Sequence, residues 1–600
     1  MRHALALILA MGACAAGSAP VAAQAINSGV PGMIFEHNVT VTMTDGNPLR
    51  VNIYRPDKPG RYPVVMLMGP YGKDTHYKDA PAYRLSWKHL MAKYSDLCSK
   101  SSCRYMRWEA PDPERWVPDG YIIIHADTRG SGATPGMLDP FSARETDDYA
   151  TLITWASKQP WSNGKVGLLG TSYYAIDQWQ VAARQPEGLA AMIPWEGALD
   201  YYREVAFAGG IPNTSWKFWW DNTVVVDQHG NGATPLVDSI TGAKPTGEPL
   251  SPELLKINRV PPVDTFMAYP LDGAYYHQKT PDPSRIQVPF LDVGNWAGWS
   301  IEGYLTAASK EKWLRIQSGD HLTPFYSEEA LALQKRFFDH YLKGEDNGWE
   351  KEPPVALTIR SPGGVTLRKE ASWPLPGTKW ERLYLDASSE SMGPTGGGKS
   401  AAEKSYPARS TGVTFKTAAF PRDIEYTGPA KLKLWVRSTT ADMDVFATVR
   451  LIDPMGRDVT FQGGTDPWQP LSEGILRVSH RALDPIKSTE YRPYHSHLAT
   501  EPMVPGQLYE IDIDLRPLSI VVPKGYRLAV TVEGQDWTLD GVQTIRAKDY
   551  DLPGAEEGAR PTAPGSHPFR DPTLYGGTNT VATGAGHESY LLLPYIPANR

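Results

Sequence analysis

QPWSNGKVGLLGTSYYA, residues 159–175, is the stretch from which the rest of the chain is read. An apolar run from Val166 to Leu169 stops at Gly170. Thr171-Ser172-Tyr173 follow, and then residues of helical character from Ile176 to Arg184. A serine on a sharp strand-to-helix turn is a nucleophile elbow, in which the turn lifts Oγ clear of the sheet. The usual pattern is G-x-S-x-G, and Tyr174 stands where its last glycine belongs. A serine that merely caps a helix gives the same local sequence, so the flanking segments must separate the two readings.

Working outward, two β-rich runs between Ile34 and Tyr54 flank Asp45-Gly46, a hairpin signal. Pro63–Met68 and Tyr121–Ala126 are short continuous apolar runs, as buried central strands are. They end in Gly69-Pro70-Tyr71-Gly72 and Asp127-Thr128-Arg129-Gly130. Helical periodicity from Ala143 to Lys158 leads into the opening stretch. Leu189–Ile193 then runs into Pro194-Trp195-Glu196-Gly197, Val288–Val293 into Gly294-Asn295-Trp296-Ala297-Gly298, and Trp313–Ile316 into Ser318-Gly319-Asp320-His321. Ser327 caps a further helix that reaches Lys343, with Gly344 as its stop. Strands alternating with helices imply a doubly wound parallel sheet, whose ligands sit at the carboxyl ends of the strands. Tyr71, Ser172, Glu196 and His321 all lie just past such ends.

Between Tyr201 and Gln287 this rhythm breaks into a segment rich in Trp, Tyr, Gly and Pro, including Trp216, Trp219, Trp220, Tyr269, Tyr275 and Tyr276. An insertion there would form a cap over the site. From about Pro353 short β runs separated by Gly and Pro turns take over, the grammar of a jelly-roll β-sandwich. The expected division is a leader at 1–25, an α/β domain at 26–200 and 286–352, a cap insertion at 201–285 and the sandwich at 353–600.

Hydrophobic residues make up 41% of the 600-residue chain and charged ones 21%, an ordinary globular composition. The formal charge of −7 comes with scattered Lys and Arg, and without a basic stripe nucleic acid is excluded as a partner. Arg2, the apolar Ala4–Ala10 and the A-x-A-like Ala23-Gln24-Ala25 read as an export signal, too short to span a bilayer. Met11-Gly12-Ala13-Cys14 loosely resembles a lipoprotein box, but Met rather than Leu precedes the cysteine by three, so plain export is preferred over a lipid anchor at Cys14. Export and close spacing make a local disulfide between Cys98 and Cys103 the expectation. No Cys/His cluster has metal-ligand spacing, and no cofactor or metal is expected.

Several motifs carry a family resemblance from about Glu36 to the C-terminus. They are Pro70-Tyr71-Gly72, Asp127-Thr128-Arg129-Gly130, Gln159-Pro160-Trp161-Ser162-Asn163-Gly164, Gly170-Thr171-Ser172-Tyr173 and Asp200-Tyr201-Tyr202-Arg203. Later come Phe337-Phe338-Asp339-His340-Tyr341-Leu342-Lys343-Gly344, Trp373-Pro374-Leu375-Pro376, Ser479-His480-Arg481 and Pro523-Lys524-Gly525-Tyr526-Arg527-Leu528. In this order they resemble the cocaine esterase and X-prolyl dipeptidyl peptidase family of serine hydrolases. The resemblance implies an α/β-hydrolase domain, a helical cap and a C-terminal jelly roll. It implies Ser172 as nucleophile, His321 as base, and the Tyr173 N–H and Tyr71 phenol as oxyanion hole. It also places the second elbow glycine one residue later, at Ala175. The substrate it implies is a small ester or amide. A narrower variant is an aminopeptidase releasing X-Pro dipeptides.

One departure stands out. Family members carry an aspartate after the next-to-last strand of the hydrolase sheet, in a W-x-D segment, whereas this chain reads Gly294-Asn295-Trp296-Ala297-Gly298. Without an orienting acid a catalytic imidazole can take the wrong tautomer. Asn295 could orient the ring without charge, Glu196 could reach it from the neighbouring loop, and Asp292 lies within the strand, too early. The reading leans to Glu196. A catalytically impaired binding protein is the alternative that the missing acid motivates.

Overall fold

The computed structural model describes residues 24–296, 301–395, 400–464, 466–537, 544–550 and 570–598. Most of the leader and the Ala297-Gly298 pair lie outside the described residues. The first sheet contains β1 (Gln24–Ile26), β2 (Met33–Thr42), β3 (Pro48–Pro56), β4 (Tyr62–Gly69), β5 (Ile122–Asp127), β6 (Ser162–Thr171) and β7 (Leu189–Trp195). A two-stranded pair, β8 (Phe207–Ala208) and β9 (Ile211–Pro212), stands apart from it in the cap. The first sheet is completed by β10 (Phe290–Asn295), β11 (Lys312–Gln317), β12 (Val355–Ser361) and β13 (Gly364–Glu370).

Its order is β1-β2-β3-β5-β4-β6-β7-β10-β11-β12-β13. From β5 to β12 every neighbouring pair is parallel, while the β1–β3 edge and β13 are antiparallel additions. The continuous apolar runs are continuous because both faces of these strands are covered: all six residues of β5 are buried, as are seven of the eight in β4. The β2–β3 hairpin turns at Gly46, whose φ of 85° suits glycine. Helices Ala143–Ser157 and Glu328–Phe338 begin at Ser142 and Ser327, whose hydroxyls accept from the amides of Glu145 and Ala330. The second helix ends five residues earlier than its periodicity predicts, giving way at Asp339–Lys343 to a wider π-helical turn that Gly344 closes.

Residues 201–285 form a cap of short helices, among them Ser215–Trp219, Pro252–Ile257, Pro262–Ala268 and Ala274–His277. The all-β half is built around long paired strands, with Ile424–Ser438 antiparallel to Tyr509–Val522 over a core that includes Leu432, Leu434, Ile511 and Ile513. The expected boundary at 353 needs correction, because β12 and β13 extend the first sheet as far as Glu370. In composition β12 is another short β run, and only its parallel pairing with β11 assigns it to the hydrolase sheet. Among the described residues no helix is long and apolar enough to cross a membrane.

Candidate active site

Ser172 joins β6 to the helix Tyr173–Ala182 with φ 62° and ψ −115°, a conformation that L-residues seldom adopt. Its amide donates to Trp195 O at 2.9 Å, and its carbonyl accepts from the amides of Ala175 and Ile176. A sharp elbow needs room on both sides. A Cβ on Gly170 would lie 2.5 Å from that of Tyr174, and one on Gly197 2.8 Å from that of Ala175. Tyr174 can therefore replace the usual glycine because its ring lies over Gly69 and Gly170, while Ala175 takes the close approach against Gly197.

The Tyr173 amide opens the helix after the elbow. Its phenol donates to Glu145 Oε1 at 2.7 Å. Glu145 also accepts from Thr128 Oγ1 and the Phe141 amide, and burial raises its carboxyl to about 7. Tyr71 packs edge-on against Tyr173 and Tyr174, and its hydroxyl accepts from Trp219 Nε1 at 3.1 Å. Burial pushes the Tyr71 phenol well above its ordinary value, so it keeps its proton and remains a donor. Trp219 is the cap residue that reaches this site, which the aromatic richness of the cap could not single out.

His321 lies past β11, buried between two carboxylates. Its Nδ1 meets Glu196 Oε2 at 2.7 Å and its Nε2 meets Glu109 Oε1 at 3.1 Å. Burial alone lowers the imidazole, but hydrogen bonds and charge from Glu109 and Glu196 overcome it and raise the ring to about 10. Glu196 is wholly buried and sits at φ 51°, with its amide on Val293 O. Asn295 Nδ2 donates to Gly319 O at 2.7 Å and reaches Glu196 Oε1 at 3.4 Å, which places it behind the carboxylate. Asp292 accepts from the Tyr304 amide instead, and burial raises it to about 8. From the all-β half, Gly464 O accepts from the His321 amide at 2.7 Å.

Two short links tie the elbow to the ring. One runs from Ser172 through Trp195 O to the adjoining Glu196. The other runs from Thr171, whose amide donates to Glu109 O at 3.2 Å. Sequence reading missed Glu109 because it sits in an irregular loop beyond the Cys98–Cys103 disulfide, with no motif around it. His37, Asp74 and Asp238 also converge, with the Lys73 ammonium on Asp74. A separate cavity of about 520 Å³ between the cap and the all-β half, lined by Arg203, Trp373 and Arg492, reaches Asn295 but is not lined by Ser172 or His321.

Fold and site together define an α/β hydrolase with a helical cap and an appended β domain. The X-Pro dipeptidyl-peptidase (S15 family) profile matches residues 45–323, and the X-Pro dipeptidyl-peptidase C-terminal non-catalytic domain profile matches residues 347–592. A CocE/NonD family hydrolase from Staphylococcus aureus is 32% identical, with a TM-score of 0.78 and 94% of each chain covered. Cocaine esterase from Rhodococcus sp. is 25% identical over 581 residues, 83% of this chain and 90% of that one. An α-amino acid ester hydrolase, 16% identical, shares the fold at a TM-score of 0.64 over 98% of this chain and 100% of that one. The chain belongs to the cocaine esterase and X-Pro dipeptidyl-peptidase family of hydrolases.

Proposed function

We propose that this protein is an exported serine hydrolase that cleaves carboxylic esters or amides through an acyl-enzyme on Ser172. The observation that carries the reading is the 2.7 Å contact between His321 Nδ1 and Glu196 Oε2. It supports Glu196 as the orienting acid that the W-x-D segment lacks, and it speaks against the alternative of a catalytically impaired binding protein. In this mechanism His321 Nε2 takes the Ser172 proton and returns it to the leaving group, while Glu196 holds the tautomer and stabilises the imidazolium. The Tyr173 amide and the Tyr71 phenol meet the charge on the tetrahedral oxygen, where each donor contributes about 3–4 kcal/mol. Export is supported by the Cys98–Cys103 disulfide, a bond that persists in oxidising compartments.

Ser172→Ala is expected to lower hydrolysis of p-nitrophenyl butyrate by more than about 10⁴-fold in protein free of contaminating esterase. Activity close to that of the parent would end the proposal. The family profile also supports a narrower reading as an X-Pro dipeptidyl aminopeptidase. Ala-Pro-p-nitroanilide turned over in preference to p-nitrophenyl butyrate would select it.

A further inference from the structure

Glu109 has no part in the hydrolase mechanism, yet its carboxylate touches the ring nitrogen on which that mechanism depends. Its backbone is fixed. The Thr171 amide holds its carbonyl, Trp108 stacks on Tyr83 at 3.8 Å, and Arg107 donates through Nε to Lys73 O while accepting from the Tyr326 hydroxyl. Glu109 itself sits at φ 58°. Oε1 contacts His321 Nε2, whereas Oε2 is buried, and Trp108 is the other side chain that bonds the carboxylate. A buried carboxylate with so few donors is costly, and its presence beside a nucleophile elbow calls for a functional explanation.

Proton counting supplies one. A neutral imidazole donates from one nitrogen only, and an ionised carboxylate only accepts. A ring with an ionised carboxylate on each nitrogen is therefore an imidazolium, with no lone pair for the Ser172 proton. We propose that Glu109 is a positioning residue that locks His321 in this resting form by occupying Nε2, and that hydrolysis begins only when the Glu109 side chain swings away. The proposal rests on the hydrolase reading above. With its backbone pinned, Glu109 moves by side-chain rotation alone; once its charge is gone the Nε2 proton is lost to solvent, and the Glu196 contact holds the neutral ring that remains.

The surroundings preserve the lock. Among the described residues Glu109 and Glu196 act on the ring itself, while the neighbouring Asp320, whose Oδ1 is occupied by Thr323 and the Leu322 amide, acts on Glu196. Tyr71, Tyr77, Tyr83, Tyr174 and Tyr326 are near enough to Glu109 to feel its charge, and burial keeps every one of these phenols protonated. Burial also raises Glu109, partly countered by its bond to His321. Removing one anion from a cation lowers the cation's pKa, so losing Glu109 should free the base at lower pH.

The test is the rate of fluorophosphonate labelling of the folded full chain as a function of pH. Wild type should label with a midpoint well above the ordinary imidazole value of about 6.5. Glu109→Gln should move that midpoint down by about 1–3 units and label faster than wild type at neutral pH. A Glu109→Gln midpoint equal to that of wild type, even with a slower rate, would make Glu109 a structural brace and overturn the lock. Should that variant fail to fold, a wild-type midpoint near 6.5 overturns it equally. Folded wild type that labels at no pH ends the hydrolase reading itself, and the lock with it.

Discussion

Ser172, Glu109 and Glu196 occupy the left-handed half of backbone space at φ 62°, 58° and 51°; all three are buried, and Glu109 and Glu196 flank one imidazole. Non-glycine residues held there cost on the order of 1–3 kcal/mol each and persist where the surroundings over-determine them. Here the surroundings are strand ends whose amides and carbonyls fix the turns, so each side chain is aimed by its backbone. At this scale the decisive test is Glu196→Gln. An amide in place of the carboxylate cannot stabilise the imidazolium and favours the wrong tautomer. We expect kcat for p-nitrophenyl butyrate to fall by about 10⁴ with the thermal midpoint little changed. A fall of less than about tenfold would assign Glu196 a merely structural place. The sequence offered Glu196, Asn295 and Asp292 side by side. What separates them is contact: Glu196 reaches His321 Nδ1 from the loop after β7, whereas Asn295, on the nearer strand β10, donates to Gly319 O and Asp292 accepts from the Tyr304 amide.

At the scale of elements, the elbow depends on how closely the helix Tyr173–Ala182 approaches the loop after β7. Gly197 is the contact that allows it, since an added Cβ would press on the Ala175 Cβ at 2.8 Å and on its backbone at 3.0 Å. Backbone cannot rotate aside, so Gly197→Ala should push the helix outward and tilt Ser172. The expected cost is about 1–3 kcal/mol of stability, read by thermal denaturation, together with slower phosphonate labelling. Unchanged values for both would show that the elbow tolerates a wider gap. The helix and strands around this turn were legible in the sequence because their apolar periods are long. The cap was not. Its short helices carry no sustained period, and Trp219 is distinguished from its aromatic neighbours by tertiary contacts, the 3.1 Å bond to Tyr71 and the stacking on Tyr173.

At the scale of the whole molecule, the all-β half reaches into the site through Gly464 O, which holds the His321 amide. Arg360 on β12 fastens the two halves. It is buried, burial lowers its guanidinium to about 10, and it donates to Ser519 O at 3.1 Å and Leu471 O at 3.2 Å. Arg360→Met should remove both bonds and destabilise the protein by at least about 1.5 kcal/mol. Calorimetry would register it as a lower midpoint, and labelling of Ser172 should slow as the His321 loop loosens. An unaltered midpoint would mean that the remaining contacts suffice to hold the halves together.

By itself the sequence determined what local pattern can encode: the alternating strands and helices, the turn at Ser172, the histidine after the last strand of the alternation, and the change of grammar near residue 353. Those features depend on hydrophobic period and turn chemistry, which neighbouring residues define. Only the tertiary structure decided that β12 and β13 close the hydrolase sheet, that Glu196 stands at His321 Nδ1, and that Glu109 stands at Nε2. These are contacts between residues 125 and 212 positions apart. No local pattern specifies such pairs, because they follow from strand order and from the way buried charges must find partners once the sheet has closed around them.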